Sequence, residues 1–189
     1  MTTPIPSVQL LPASEDNIAI AANILRSGGL VAFPTETLYG LGADARIDAA
    51  VQKVFAAKAR PPEKPLIVLV QDLREAIRYG LFDQDARRLA EAFWPGALTL
   101  IVNRREPCPL SAEINPGGAT VALRAPGSDI AMRLLDAFSG PLTAPSANRS
   151  GAAPPIAAEQ VMHGLGATID AVLDGGSCPG GESSIVELT

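Results

Sequence analysis

The chain has 189 residues, of which 47% are hydrophobic and 19% charged, and its formal net charge is -5. This is enough apolar material for one sizeable core, and it excludes a chain that is disordered throughout. The acidic balance disfavours a protein that binds nucleic acid through a broad phosphate footprint, because such surfaces are rich in Lys and Arg.

The sequence offers few metal ligands and no membrane segment. It contains two cysteines, Cys108 and Cys178, and one histidine, His163, which leaves little room for a zinc or iron–sulfur site. We expect two free thiols in a reducing cytoplasm, with a disulfide as the less favoured alternative. No apolar run approaches the roughly 20 residues of a membrane span, and residues 1–6 lack the features of a secretory signal. We therefore expect a soluble cytoplasmic protein.

Helices and strands are predicted to alternate along the chain, separated by Gly and Pro, of which there are 17 each. Ser14 is a candidate N-cap, and the helix after it ends at Gly28. In chain order there follow a strand at 30–33, a helix at 48–59, a strand at 66–70, helices at 72–79 and 83–93, strands at 97–102 and 120–123, a helix at 128–138, a strand at 141–144, a helix at 157–163, and strands at 171–173 and 185–188. Because this alternation has no strict βαβ order, we predict one α/β domain over residues 1–189, with a twisted sheet of mixed parallel and antiparallel strands flanked by helices.

The second predicted helix carries a lysine on its apolar face. Lys58 continues the i, i+3, i+4, i+7 pattern that begins at Val51, so its stem is expected to be buried. A proline follows Arg60, which would end the helix and let Lys58 and Arg60 face one ligand. With Lys64, these cations lie within seven residues of an acidic chain, which indicates an anion pocket. The alternative is a solvated basic helix end that favours the helix dipole.

Ser146 and Asn148 follow the predicted strand at 141–144. If the chain stays extended there, both side chains point to one side, where they could hydrogen-bond a phosphate, a nucleotide or a hydrated metal. The alternative is a turn, since Ser and Asn beside Pro and Gly form Asx-turns and caps. The residues alone favour the turn.

Three further segments carry polar groups at strand ends or in loops. Arg124 follows the strand at 120–123 and could bind a carboxylate or phosphate with both arms, or form a surface ion pair. The segment after Phe33 is interpreted as a loop in which Glu36 is either a general base or the partner of a nearby cation. The glycine-rich residues 175–181 could bind phosphate through backbone amides, although a mobile loop is the favoured interpretation.

Several catalytic signatures are absent from the sequence. There is no G-x-x-x-x-G-K-[ST] loop, no third Rossmann glycine after Gly40-Leu-Gly42 and no G-x-S-x-G elbow. A histidine-based triad is excluded because His163, the single histidine, lies in a short late helix. The chemistry that remains positions charged substrates against each other without a protein nucleophile.

Six segments, taken together, resemble the YrdC family. They are Phe33-Pro-Thr-Glu-Thr-Leu-Tyr-Gly-Leu-Gly, Lys58-Ala-Arg-Pro with Lys64-Pro-Leu, Phe93-Trp-Pro-Gly-Ala-Leu-Thr, Thr120-Val-Ala-Leu-Arg-Ala-Pro, Ala144-Pro-Ser-Ala-Asn148 and Glu182-Ser-Ser-Ile-Val. Each is weak alone, but all six occur in the family's order and extend over about residues 15–188.

The resemblance implies an α/β domain with a concave, positively lined cleft. It also implies a reaction in which L-threonine, bicarbonate and ATP give threonylcarbamoyl-AMP and pyrophosphate. The threonine amine would capture CO2 or bicarbonate, and the carbamate oxygen would attack the α-phosphorus. A separate transferase would then use the product to form N6-threonylcarbamoyladenosine in tRNA.

The same resemblance assigns roles to nine residues. Lys58 and Arg60 would be catalytic, stabilising charge as pyrophosphate leaves, and Mg2+ is expected on the ATP phosphates without protein ligands. Arg124 would pair with the threonine carboxylate. The nucleotide would contact Lys58, Arg60, Thr120, Ser146 and Asn148, and threonine would contact Thr35, Lys64, Arg124 and Ser183.

The chain departs from the family pattern near its end. Family members often continue past the last strand into a segment with a further nucleotide-facing arginine, and longer members add a second C-terminal domain. We therefore expect a short single-domain form, with Ser184 where threonine is more usual. The main alternative function is an RNA-binding module that uses the same cleft. The net charge of -5 and 4% aromatic content argue against it. The synthase reaction is compatible with direct tRNA binding but does not require it, and no membrane contact is expected.

Overall fold

Strands and helices alternate through residues 8–189, the part of the chain that the computed structural model describes. Every predicted helix and strand is present. In order, the elements are β1 (Gln9–Pro12), α1 (Glu15–Arg26), β2 (Val31–Pro34), β3 (Tyr39–Gly42), α2 (Asp48–Lys58), β4 (Ile67–Leu69), α3 (Leu73–Ala76), α4 (Gln84–Phe93), β5 (Leu98–Asn103), a 3-10 turn (Ala112–Ile114), β6 (Thr120–Arg124), α5 (Asp129–Phe138), β7 (Leu142–Thr143), α6 (Ala158–Leu165), β8 (Ala171–Asp174) and β9 (Ser184–Leu188).

Local chemistry explains several of these boundaries. The Ser14 hydroxyl accepts a hydrogen bond from the Asn17 amide at 3.3 Å, so Ser14 caps α1 as predicted. Strands β1 and β3 were not predicted. The segment 39–42, Tyr-Gly-Leu-Gly, belongs to the stretch after Phe33 that is interpreted from the sequence as a loop, and its two glycines disfavour a strand. It is a strand because it pairs antiparallel with β2 and all four of its residues are buried.

The predicted mixture of parallel and antiparallel pairing is confirmed, and the strands divide into two sheets. The first has the order β1-β8-β2-β3 and the second the order β7-β4-β6-β5-β9. In the second sheet, β4 runs parallel to β6, so Leu69 lies beside Arg124 at their carboxyl ends. Isolated bridges from Gly40 to Ser146 and from Asp44 to Leu142 join the two sheets.

The second sheet has one buried face and one partly open face. Val68, Leu100 and Leu123 point to the buried face and belong to the larger hydrophobic cluster. On the opposite face, Ala122 lies between Ile67 of β4 and Ile101 of β5, and all three are half-buried. The alternation of strand side chains places Thr120 and Arg124 on this same open face. The fold thus leaves one side of the sheet available to a ligand.

Two sequence-based expectations concern compartment and redox state. Both cysteines are free thiols, and Cys178 is buried. Over residues 8–189, no helix is long and apolar enough to cross a membrane. The expectation that residues 1–6 carry no secretory signal lies outside the described residues.

Candidate active site

A cavity of about 200 Å³ lies where the two sheets meet. Its walls come from the loop between β2 and β3, from β3, from both ends of β4, from the carboxyl end of β6, and from the segments after β7 and before β9. Four predicted site residues line it, namely Thr35, Arg124, Ser146 and Ser183. Four larger surface depressions, of about 500, 630, 400 and 370 Å³, are lined by none of the predicted site residues. Size therefore does not identify the site, whereas the gathering of polar groups does.

Arg124 is the buried cation of this cavity. Its Nε donates to Glu36 Oε1 at 3.0 Å and to the Gly96 carbonyl at 3.1 Å, and its Nη2 also donates to Glu36 Oε1. A guanidinium has five N–H groups, so the two on Nη1 and one on Nη2 have no partner among these contacts. Because Arg124 lines the cavity, these groups can receive a carboxylate. The surface ion pair considered for Arg124 is wrong, since the pair with Glu36 is buried.

Thr35 lines the cavity, but its hydroxyl is used by the loop. Its Oγ1 donates to the Leu38 carbonyl at 2.7 Å and accepts from the amides of Thr37 and Leu38, each at 3.2 Å. This is the local bonding by which a threonine fixes a turn. The methyl group is the part of the side chain left to face a ligand. A Cβ added to Gly40, another lining residue, would lie 3.7 Å from this methyl carbon.

Two substitutions distinguish the role of the Thr35 hydroxyl from that of its methyl group. Thr35→Val keeps the methyl and removes the hydroxyl, which leaves the amides of Thr37 and Leu38 without this acceptor, while the Leu38 carbonyl keeps the Thr35 amide as a donor. We expect a loss of about 1–3 kcal/mol in the free energy of unfolding, or a fall in Tm of about 2–10 °C. Thr35→Ser keeps the hydroxyl and should lose less than about 1 kcal/mol. Thermal unfolding of both variants checks this, and equal losses would show that the hydroxyl does not hold the loop.

Lys58 ends α2 and is buried, as its place on the apolar face predicts. Its Nζ donates to the main-chain carbonyls of Ser146 and Asn148, the latter at 2.6 Å. The helix ends because Ala59 takes a left-handed conformation, with φ 47°. Two of the three ammonium protons are thus used by carbonyls, and one is left for an anion. Burial, and then the nearby charge of Arg60, lower the pKa of Lys58 to about 8.

The lowered pKa of Lys58 makes stability depend on pH. Unfolded, this lysine titrates near 10.5, so between about pH 8 and 10 the unfolded chain binds more protons than the folded one. Stability must then rise with pH. We expect wild type to gain about 2 kcal/mol over this interval relative to Lys58→Met. Urea unfolding at several pH values measures the difference. Lys53→Met is the control, because Lys53 is an exposed lysine of the same helix. The expectation fails if both variants follow the same pH curve.

The chain turns at Ser146–Asn148 instead of continuing extended. The Asn148 amide donates to the Ser146 carbonyl at 2.9 Å, and the Asn148 Nδ2 donates to the carbonyls of Arg149 and Ala152. The extended conformation that would place both side chains on one side is therefore not adopted, and the turn that the residues favour is confirmed. This turn orients two carbonyls toward Lys58, while Ser146 itself lines the cavity. Asn148 Oδ1 is buried without a hydrogen-bond partner.

Three predicted residues lie away from the cavity, toward the other end of β4 and β6. Thr120 begins β6, about 13 Å along the strand from Arg124 at 3.3 Å per residue. Its hydroxyl and carbonyl accept from Asn115 Nδ2. The Arg60 guanidinium donates to the carbonyls of Lys64 and Pro65, at 3.2 and 2.8 Å, and Lys64 is exposed. Lys64, assigned to threonine by the resemblance, thus lies beside Arg60 and is absent from the cavity lining.

The glycine-rich segment 175–181 is held by hydrogen bonds, contrary to its interpretation as a mobile loop. The Tyr39 hydroxyl donates to the Gly176 carbonyl at 2.7 Å, and the Gly180 amide donates to the Thr37 carbonyl at 3.1 Å. Burial raises the pKa of Tyr39 to about 12, so its hydroxyl keeps its proton. The segment leads to Ser183 in the cavity wall. Sequence reasoning missed Tyr39, although its place in the first motif was a usable signal.

Comparison with known proteins extends these observations. A profile of the Sua5/YciO/YrdC family, described as telomere recombination, matches residues 23–189. The threonylcarbamoyl-AMP synthase of Bacillus subtilis is 43% identical over 177 residues, which cover 93% of this chain and 51% of that protein. The threonylcarbamoyl-AMP synthase of Pyrococcus abyssi is 41% identical over 177 residues, with 93% and 52% covered. The crystal structure of P. abyssi Sua5 complexed with L-threonine superposes with a TM-score of 0.90 at 38% identity, covering 96% of this chain and 54% of that one.

The chain spans about half the length of these curated relatives. Within that half, the match covers nearly all of this sequence, and the fold is shared. The family resemblance predicted from the six motifs is thereby confirmed. The chain belongs to the Sua5/YciO/YrdC family.

Proposed function

We propose that this chain forms threonylcarbamoyl-AMP from L-threonine, bicarbonate and ATP, with release of pyrophosphate. The observation that carries the proposal is the buried Arg124, which lines a cavity of about 200 Å³ and has three N–H groups that its contacts with Glu36 and Gly96 leave unused. The superposition on a relative complexed with L-threonine supports it, because that relative shares the fold and 38% of the aligned residues.

Threonine would occupy the cavity with its carboxylate on Arg124. The small volume suits one amino acid, and the apolar lining of Leu38, Ile67 and Ala144 suits the threonine methyl group. Ser183 lies in the wall as a hydroxyl partner. The exposed ammonium of Lys64 would then act on the nucleotide side, with Arg60, in place of the threonine role that the resemblance assigns to it.

ATP would lie along the open face of the second sheet, so that cavity and open face together form the cleft. Lys58, at the cavity edge, and Arg60 would hold the phosphates. Thr120, on the same face as Arg124, would contact the nucleotide, as would the turn at Ser146 and Asn148. Placed this way, the carbamate formed on the threonine amine meets the α-phosphorus at the cavity mouth, and Lys58 stabilises the charge that develops.

Mg2+ would enter with ATP as part of the substrate. Among residues 8–189 no group of three or more His, Cys, Asp or Glu side chains is placed to hold a metal ion. The negative charge of the ATP phosphates would be neutralised jointly by Lys58, Arg60 and the ion. We place the reaction in the cytoplasm, where a separate transferase would pass the threonylcarbamoyl group to tRNA.

The direct test is pyrophosphate release from ATP in the presence of bicarbonate, with and without L-threonine. Serine and alanine are the controls, since serine lacks the methyl group of the threonine side chain and alanine lacks both the methyl group and the hydroxyl. Threonine-dependent release supports the proposal. ATP binding without release would mean that a further segment of the longer relatives is needed. RNA binding with a steep salt dependence and no effect of threonine would favour the binding-module alternative.

A further inference from the structure

Glu36 is a mostly buried carboxylate beside the cavity, and the proposed reaction does not use it. It lies in the loop between β2 and β3, and its side chain is 17% exposed. Oε1 accepts from both Nε and Nη2 of Arg124. Oε2 is buried without a hydrogen-bond partner. Glu36 is not among the lining residues of the cavity, so it contacts the site through Arg124.

The contact with Glu36 fixes which edge of the Arg124 guanidinium faces the cavity. The fork is planar and rigid, so fixing one edge fixes the other. Glu36 and the Gly96 carbonyl occupy the Nε side. The three N–H groups at the opposite end remain in the geometry that binds a carboxylate through both oxygens.

Close packing holds the Glu36 stem in this position. A Cβ added to Gly127 would lie 3.5 Å from Glu36 Cγ and 3.3 Å from Gly96 Cα, so the three residues are in close contact. The Gly96 amide donates to the Ala125 carbonyl at 2.8 Å, which ties this group to the end of β6. Arg124 thus meets an acceptor that is itself held by packing and by the strand.

We propose that Glu36 is a positioning residue for the substrate carboxylate, acting by orienting Arg124; this inference rests on the proposed function. What matters is the position of one acceptor oxygen, since only Oε1 bonds to Arg124 and Oε2 bonds to nothing. Glutamine would keep an oxygen at that position while losing the charge. Aspartate would keep the charge but shorten the side chain by one methylene, which withdraws the oxygen from Nε and Nη2.

The test compares Glu36→Gln with Glu36→Asp by calorimetric titration of L-threonine and by steady-state kinetics. We expect Glu36→Asp to raise the threonine Kd and KM about tenfold, with the ATP KM and the saturated kcat within about threefold of wild type. Glu36→Gln should restore threonine binding to within about threefold of wild type. Glu36→Asp keeps the charge, whereas Glu36→Gln leaves Arg124 without its charged partner, which can cost about 3–5 kcal/mol. Thermal unfolding of each variant therefore accompanies the titrations.

The outcomes distinguish three cases: the position of the Glu36 oxygen matters, the charge of Glu36 matters, or Glu36 has no role in threonine binding. If Glu36→Asp binds threonine normally, or if Glu36→Gln is the more impaired variant, orientation by Glu36 is overturned. A tenfold rise in the ATP KM would also overturn it, because a general disturbance of the cleft would then explain the loss. If wild type shows no threonine binding, the proposed function fails, and the role of Glu36 fails with it.

Discussion

Replacing Lys58 with methionine should lower the rate of threonine-dependent pyrophosphate release at least about 100-fold. This is the scale on which removal of one preorganised charge acts on a reaction. Lys58 donates to two fixed main-chain carbonyls, which leave one ammonium proton directed elsewhere. Because no rotation or desolvation is needed when phosphate arrives, the charge is already in place for the transition state.

The fold of this variant should survive, which makes the loss interpretable. Methionine forfeits two charge-assisted hydrogen bonds, each worth about 1.5–3 kcal/mol. It also removes a buried charge, whose desolvation costs several kcal/mol. These opposing effects are similar in size, so the net change in stability near pH 7 should be small. Circular dichroism and thermal unfolding measure it.

Lys53→Met is the matched control for Lys58→Met. Lys53 lies on the same helix, is exposed, and donates to the Gly28 carbonyl at 2.6 Å, outside the cavity lining. The Lys53→Met substitution removes the same charge from the same helix, and the rate of pyrophosphate release by this variant should stay within about twofold of wild type. A rate loss common to both variants would attribute the effect to net charge. A wild-type rate in Lys58→Met would remove Lys58 from the mechanism.

Helix periodicity correctly predicted that Lys58 is buried. Residue spacing alone, however, did not decide whether the chain that Lys58 contacts, at Ser146–Asn148, is extended or forms a turn. The i, i+3, i+4, i+7 pattern from Val51 to Lys58 depends only on helix geometry, and all these side chains are buried as expected. At Ser146–Asn148 the sequence allowed both an extended chain and a turn. The outcome depends on Lys58, which lies about 90 residues away and bonds to the two carbonyls that the turn exposes.

The pairing of Glu36 with Arg124 could not be predicted from local sequence. The two residues are 88 positions apart, and β2, β3 and β6 must be assembled before they meet. Sequence reasoning considered a nearby cation for Glu36 but did not say which one. Similarly, the motif order suggested that Lys64 and Arg124 share a ligand, whereas strand direction separates them, since Lys64 precedes β4 and Arg124 ends its parallel neighbour β6.

The second large effect, on the threonine KM, is expected when Arg124 is replaced. The variant that tests it must also remove the charge of Glu36. Arg124→Met alone would leave a buried carboxylate without its partner, at a cost of about 3–5 kcal/mol. The double variant Arg124→Met with Glu36→Gln removes both charges and avoids that cost. Under the proposed function it loses a carboxylate contact through two charged hydrogen bonds of about 1.5–3 kcal/mol each. We therefore expect the threonine KM to rise at least about 100-fold.

The comparison that isolates Arg124 is between this double variant and Glu36→Gln alone, because the two differ at Arg124 only. Glu36→Gln should bind threonine nearly as wild type does, and the double variant should not, while both keep the ATP KM within about threefold. If the double variant weakens ATP and threonine equally, Arg124 does not serve the carboxylate. The separation is expected because Arg124 lines the cavity at the carboxyl end of β6, whereas Arg60 lies with Lys64 near the opposite end of the strands.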